Sequence, residues 1–199
     1  MGTSLYALTN SNLKGKESKA YYDSILKNLK SLNLDTTSYS NGKNEVVKEY
    51  GEWEYEIHKE TSSPFNVYFN GPHTFAPILC RNIGIIDTIY RYRLLYEIYK
   101  LDWFEKYRTD LFKIMQIIGG TEIIYVADNA CDKLCDYLEG MALEDVPYEE
   151  IKEKMIIEMG NPVTDYSLLD YDKLDYRNIN EFFLDDFKDL KSKKNNNAE

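Results

Sequence analysis

Alternation of apolar and polar positions is clearest between Glu52 and Asn70. Trp53, Tyr55 and Ile57 fall on one side of an extended chain, and Glu52, Glu54, Glu56 and His58 on the other. After the turn residues Thr61-Ser62-Ser63-Pro64, Phe65, Val67 and Phe69 alternate with Asn66, Tyr68 and Asn70. A side-chain period of two predicts an antiparallel hairpin with one face in the core and the other wet or covered by a partner. Upstream the period is that of a helix: Tyr22, Ile25, Leu26, Leu29 and Leu32 share one face of residues 16–32. The longest predicted helix begins after Thr74, with Pro77 in its first turn and the stripe Leu79, Ile83, Ile86, Tyr90, Leu94, Ile98, Leu101. Ile85, Ile89, Tyr92 and Tyr96 widen that stripe beyond one face. The helix from Phe75 to Leu101 is therefore expected to be central or to form an oligomer contact.

Asp102-x-x-Glu105 reads as a capping box for a further helix that turns Phe104, Tyr107, Leu111, Ile114, Met115 and Ile118 inward and stops at Gly119-Gly120. Leu5 to Leu8 read as a short opening strand, and the continuous run Ile123-Ile124-Tyr125-Val126 as a strand buried on both faces. Asp128 or Asn129 caps a helix reaching Gly140. Asp145-Val146-Pro147 opens another, with Ile151, Met155 and Met159 inward and Gly160 as its stop. Phe182, Phe183 and Phe187 are placed on one side of a last helix. Strands and helices are too unevenly mixed for a doubly wound sheet. The expected fold is α+β: a single domain over residues 1–190, with a small mixed sheet of about four strands that includes the hairpin, packed by about six helices. Residues 191–199 are expected to be a disordered tail.

Charge sharpens the picture. The 199 residues hold 34 Asp and Glu against 24 Lys and Arg, a net charge of −10. The excess is segregated: residues 1–50 carry +2, residues 51–120 carry −1 and residues 121–199 carry −11. This balance argues against direct nucleic-acid binding, which needs cations to replace counterions. It favours a protein partner with a basic surface, drawn in by the acidic field. The 18 Tyr are about three times the ordinary share. Tyr supplies contact area at low entropic cost, although abundance alone does not make an interface. Three Cys exclude a disulfide scaffold. No stretch approaches the roughly 18–20 uncharged apolar residues of a membrane span, and Met1-Gly2-Thr3-Ser4 carries no basic-then-apolar signal. The expectation is a soluble, cytoplasmic chain without membrane association.

Motifs of chemistry are missing. The chain has no G-x-G-x-x-G, no G-x-x-x-x-G-K-[ST], no G-x-S-x-G, no H-E-x-x-H and no C-x-x-C. Cys131 and Cys135, one helical turn apart, accompany Ala130, Leu134 and Leu138 and read as small buried hydrophobes, so neither a metal nor another cofactor is expected. Asp128, Asp132 and Asp136 read as a solvated face. His58 lies among Glu54, Glu56 and Glu60, which favours a charged imidazole unsuited to general-base work. His73, in the loop Asn70-Gly71-Pro72-His73-Thr74, is the catalytic candidate; with Arg81 it would form an anion site at a helix N-terminus. Arg91, Arg93 and Arg108 form no basic stripe and are expected to pair with Glu97, Asp87 and the acidic C-terminal third.

The leading functional expectation is an acidic protein-binding module that acts by occluding a partner's surface. Inhibitors of nucleases or other basic toxins, of the immunity, antitoxin or phage-inhibitor kind, share this small, acidic, aromatic-rich and motif-free profile. Its expected contacts are Asp165, Tyr166, Asp170, Tyr171, Asp172, Asp175 and Tyr176. The alternative is a small-ligand binder or enzyme centred on His73 and Arg81. A third expectation is a structural subunit that homo-oligomerises through the helix from Phe75 to Leu101.

Overall fold

The hairpin is present, and it forms one end of a much larger sheet. The structure, a computed structural model, describes residues 5–34, 52–58, 65–71, 75–89, 102–127, 144–164 and 182–196. Among these residues the strands are β1 (Leu5–Thr9), β2 (Glu54–His58), β3 (Asn66–Asn70), β4 (Pro77–Cys80), β5 (Gly84–Ile89), β6 (Ile123–Ala127) and β7 (Phe183–Asp185). The helices are α1 (Lys19–Lys30), α2 (Asp102–Ile118), α3 (Tyr148–Met159) and α4 (Lys188–Asn196). The strands form one seven-stranded sheet in the order β2-β3-β4-β5-β1-β6-β7. Every pairing between them is antiparallel.

The expected four-stranded mixed sheet with about six helices is thus overturned: the described sheet has seven antiparallel strands and the described helices number four. The largest error lies in residues 75–89, expected to be helical. They form β4 and β5, joined tightly at Arg81-Asn82, where the Cys80 N–H donates to the Ile83 carbonyl at 2.9 Å. The homo-oligomer contact loses its basis with that helix; residues 90–101 lie outside the described residues. Phe182, Phe183 and Phe187 do not share a helix face either. Phe183 opens β7, and Phe187 precedes α4. Helix α4 reaches Asn196, into the stretch expected to be a tail. The helix expected between Asp128 and Gly140 lies outside the described residues.

Alternation along the strands sorts side chains to two faces. On one face Ala7, Val67, Phe69, Leu79, Ile86, Ile123, Tyr125 and Phe183 pack under α1 and α2. Helix α1 contributes Tyr22, Ile25 and Leu29 to this core, and α2 contributes Tyr107, Leu111, Ile114, Met115 and Ile118. On the other face Leu8, Cys80, Ile83, Ile124 and Phe182 pack against Tyr148, Ile151 and Met155 of α3. The result is helix, sheet, helix over the middle and the β7 end of the sheet.

Local chemistry explains the element ends. Ser18 caps α1, its side chain accepting from the Tyr21 N–H. Gly160 ends α3 at φ +87°, a conformation that favours glycine. In the hairpin, Tyr55 opposes Phe69 and Ile57 opposes Val67. Glu52, Glu54 and Glu56 are exposed, while Trp53, Val67 and Phe69 are buried. Trp53 lies so close over Gly71 that an added Cβ would sit 2.3 Å from its ring. Ile57 departs from the expected pattern: at the outer edge of the sheet it is 36% exposed.

Candidate functional site

Most of the expected site residues fall outside the described residues. These are His73, Cys131, Cys135, Arg91 and Arg93, together with Asp165, Tyr166, Asp170, Tyr171, Asp172, Asp175 and Tyr176. Arg81 is described. It sits in the β4–β5 turn instead of on a helix, its guanidinium 3.7 Å from Glu17 and 5.4 Å from the Phe65 ring. Its partners are thus α1's leading residues and the hairpin, and it is exposed. His58 lies on the wet face of the hairpin, 3.5 Å from Glu56, with its ring 4.7 Å from that of Tyr68. That face, with Glu54, Glu56, His58, Asn66, Tyr68 and Asn70, is polar and exposed or half-buried.

The strongest polar constellation lies at the opposite end of the sheet. Arg108, on the core side of α2, is 1% exposed. Its guanidinium grips Asp185 of β7 through Nε at 2.5 Å and Nη2 at 2.8 Å, and Asp189 of α4 through Nη1 at 2.9 Å and Nη2 at 2.7 Å. Asp185 also accepts from the Phe187 N–H at 2.9 Å and the Tyr125 hydroxyl at 3.5 Å. The Phe187 ring closes over the guanidinium at 5.1 Å. Burial disfavours the Arg108 charge, and the hydrogen bonds to Asp185 and Asp189 outweigh it, so the guanidinium is held protonated. The same hydrogen bonds lower the Asp189 pKa, and burial beside Asp185 raises that of Tyr125. With Arg108 sealed and its donors taken up, this arrangement fastens elements together; it offers no open position to a substrate.

Sequence pattern placed Arg108 with the acidic C-terminal third, and the structure bears out that pairing. It did not single out Asp185 and Asp189. The available signal was their four-residue spacing beside Phe187, but the clamp depends on β7 being a strand.

Other buried polar groups are also structural. Asp145, in the left-handed region at φ +57°, accepts from the Asn82 N–H at 2.9 Å and so ties α3's leading loop to the β4–β5 turn. Burial and the nearby Asp145 push the Cys80 thiol up to about 12, far from a reactive thiolate. Lys113 pairs with buried Asp110 at 2.6 Å. Among the described residues no three His, Cys, Asp or Glu side chains are grouped to hold a metal ion, and no helix is long and apolar enough to cross a membrane.

One geometric feature bears on the acidic segment 165–181. The Val163 N–H donates to the Phe182 carbonyl, and the Leu184 N–H to the Val163 carbonyl, both at 2.9 Å. The chain therefore leaves and re-enters the fold at adjacent points on the β7 edge.

None of the known protein families, characterised proteins or solved structures compared with the chain matches it.

Proposed function

We propose that the chain is an acidic protein-binding module, an inhibitor of immunity, antitoxin or phage-inhibitor type that occludes a basic surface of its partner. The observation that carries this is the segregation of charge, with −11 of the −10 total in residues 121–199. The docking residues are Asp165, Tyr166, Asp170, Tyr171, Asp172, Asp175 and Tyr176, from a segment whose two flanks are joined at the β7 edge. Asp185 and Asp189 are excluded from the docking set because Arg108 consumes them. Carboxylates steer the encounter and tyrosines anchor it once water is expelled.

The test is capture of partners from the native source on the immobilised chain at about 50 mM and about 500 mM salt. A basic protein, held at low salt and lost from an Asp170→Asn/Asp172→Asn/Asp175→Asn variant, supports the proposal. A partner held equally by both proteins at both salt concentrations overturns it.

A further inference from the structure

We propose that β7 and α4 form a strap that detaches from the rest of the fold as one unit, with Arg108, Asp185 and Asp189 as its catch. The division of charge across the joint is the first observation. Both carboxylates belong to the strap, and the guanidinium belongs to α2 in the body. The strap's other attachments are few. Strand β7 is three residues long and lies at the sheet edge, paired with β6 through Ile123↔Asp185, Ile124↔Leu184 and Tyr125↔Phe183. Helix α4 exposes Lys188, Ser192 and Lys193. Near it, Phe187 packs on Phe112 with ring centroids 5.1 Å apart, and Lys191 donates to the Thr121 carbonyl at 2.8 Å.

The joint also holds strain. Phe187 has φ +54°, a left-handed conformation that is costly for a bulky residue, and its N–H is held by Asp185. Opening relaxes it. The catch has a sealed limb and an accessible one: the Asp185 side chain is 5% exposed, the Asp189 side chain 41%. Water therefore reaches Asp189 first, and release starts there. By contrast β1 and β5 are paired on both sides and buried in the middle of the sheet, so they open only with the whole fold. The open form uncovers the β6 edge at Ile123–Tyr125, a row of backbone groups able to accept another strand.

Amide hydrogen exchange of the full chain, wild type and Asp189→Asn, tests this under native conditions. In the wild type, amides of residues 183–191 and the β6 amides bonded to β7 are expected to exchange together, at least about tenfold faster than those of β1 and β5. Asp189→Asn is expected to speed the first group by roughly tenfold and to leave β1 and β5 within about twofold. One common rate for strap and body in the wild type overturns the proposal. So does an Asp189→Asn variant that speeds both groups by the same factor, or neither. Should that variant fail to fold, the wild-type comparison alone decides.

Discussion

At Arg108 two large electrostatic effects oppose each other. Removing a guanidinium from water is costly, and paired carboxylates in a low-dielectric site offset that cost only while both sides stay in place. Arg108→Met leaves Asp185 buried without its cation and is expected to lower stability by about 3–5 kcal/mol in denaturant unfolding. A loss below about 1 kcal/mol would mean that Asp185 is hydrated in solution. Asp189 is half-exposed, so its share is smaller, about 1 kcal/mol after solvent screening. Its pKa is lowered in the fold, so its contribution is present above the ordinary carboxylate pKa and is lost as pH falls through the lowered value. The stability gap between wild type and Asp189→Asn should therefore hold at pH 7 and close below about pH 4. At the alkaline end the sign reverses. Burial raises the pKa of Tyr125 and Tyr148 above the usual 10, so their contribution is full below that value and is lost as pH rises through the raised one. Ultraviolet titration should find these two phenols protonated after the exposed ones have ionised, until the fold is lost. Early ionisation of either would contradict its burial.

Elements differ in how plainly the chain announces them. The hairpin of β2 and β3 is legible because one face is wet, so Glu54 and Glu56 contrast with Tyr55 and Ile57. Strands β4 and β5 lie inside the sheet, with Ile78, Cys80 and Ile85 toward α3's face and Leu79 and Ile86 toward the opposite one. Covered on both faces, they show no polar alternation, and Leu79, Ile83 and Ile86 then fall by coincidence at helical spacing. The β-branched richness of Ile78, Ile83, Ile85, Ile86 and Ile89 was the contrary signal. Strand β7 was illegible for another reason: three residues are too few to set a period. Edge and interior positions should also respond differently to truncation. Val67→Ala is expected to cost about 2 kcal/mol, whereas Ile57→Ala, at its cross-strand partner, should cost under about 1 kcal/mol. Equal losses would mean that the β2 edge is covered in solution. Ile124 lies in β6, fully buried between β1 and β7. Ile124→Asp puts a lone carboxylate there and is expected to abolish cooperative melting, since several kcal/mol approaches a domain's whole stability.

Over the whole molecule, charge is the property that sequence states most directly and fold modifies least. The net charge of −10 can be read without coordinates. Which carboxylates remain available cannot, because internal pairing depends on topology. Arg108 withdraws Asp185 and Asp189, Lys152 pairs with Glu122, Lys154 with Glu150 and Lys188 with Asp186. The acidic segment 165–181 is therefore where the proposed docking function is best tested, with steering separated from anchoring. Steering acts before contact, over distances set by the Debye length of about 10 Å at 0.1 M salt. Neutralising Asp170, Asp172 and Asp175 together to Asn should then slow association with the partner, by roughly tenfold at low salt, and change dissociation little. Raising salt to about 500 mM should slow the wild type in the same way, leaving the variant nearly indifferent. Anchoring acts after contact. Tyr171→Ala or Tyr176→Ala should speed dissociation by about tenfold and leave association almost unchanged. Melting temperatures of all the variants must match the wild type for these rates to refer to the interface. Association that ignores both salt and the triple substitution would reduce the acidity to a solubility device. The polar face of the hairpin, with Glu54, Glu56, His58 and Tyr68, would then be the next surface to mutate.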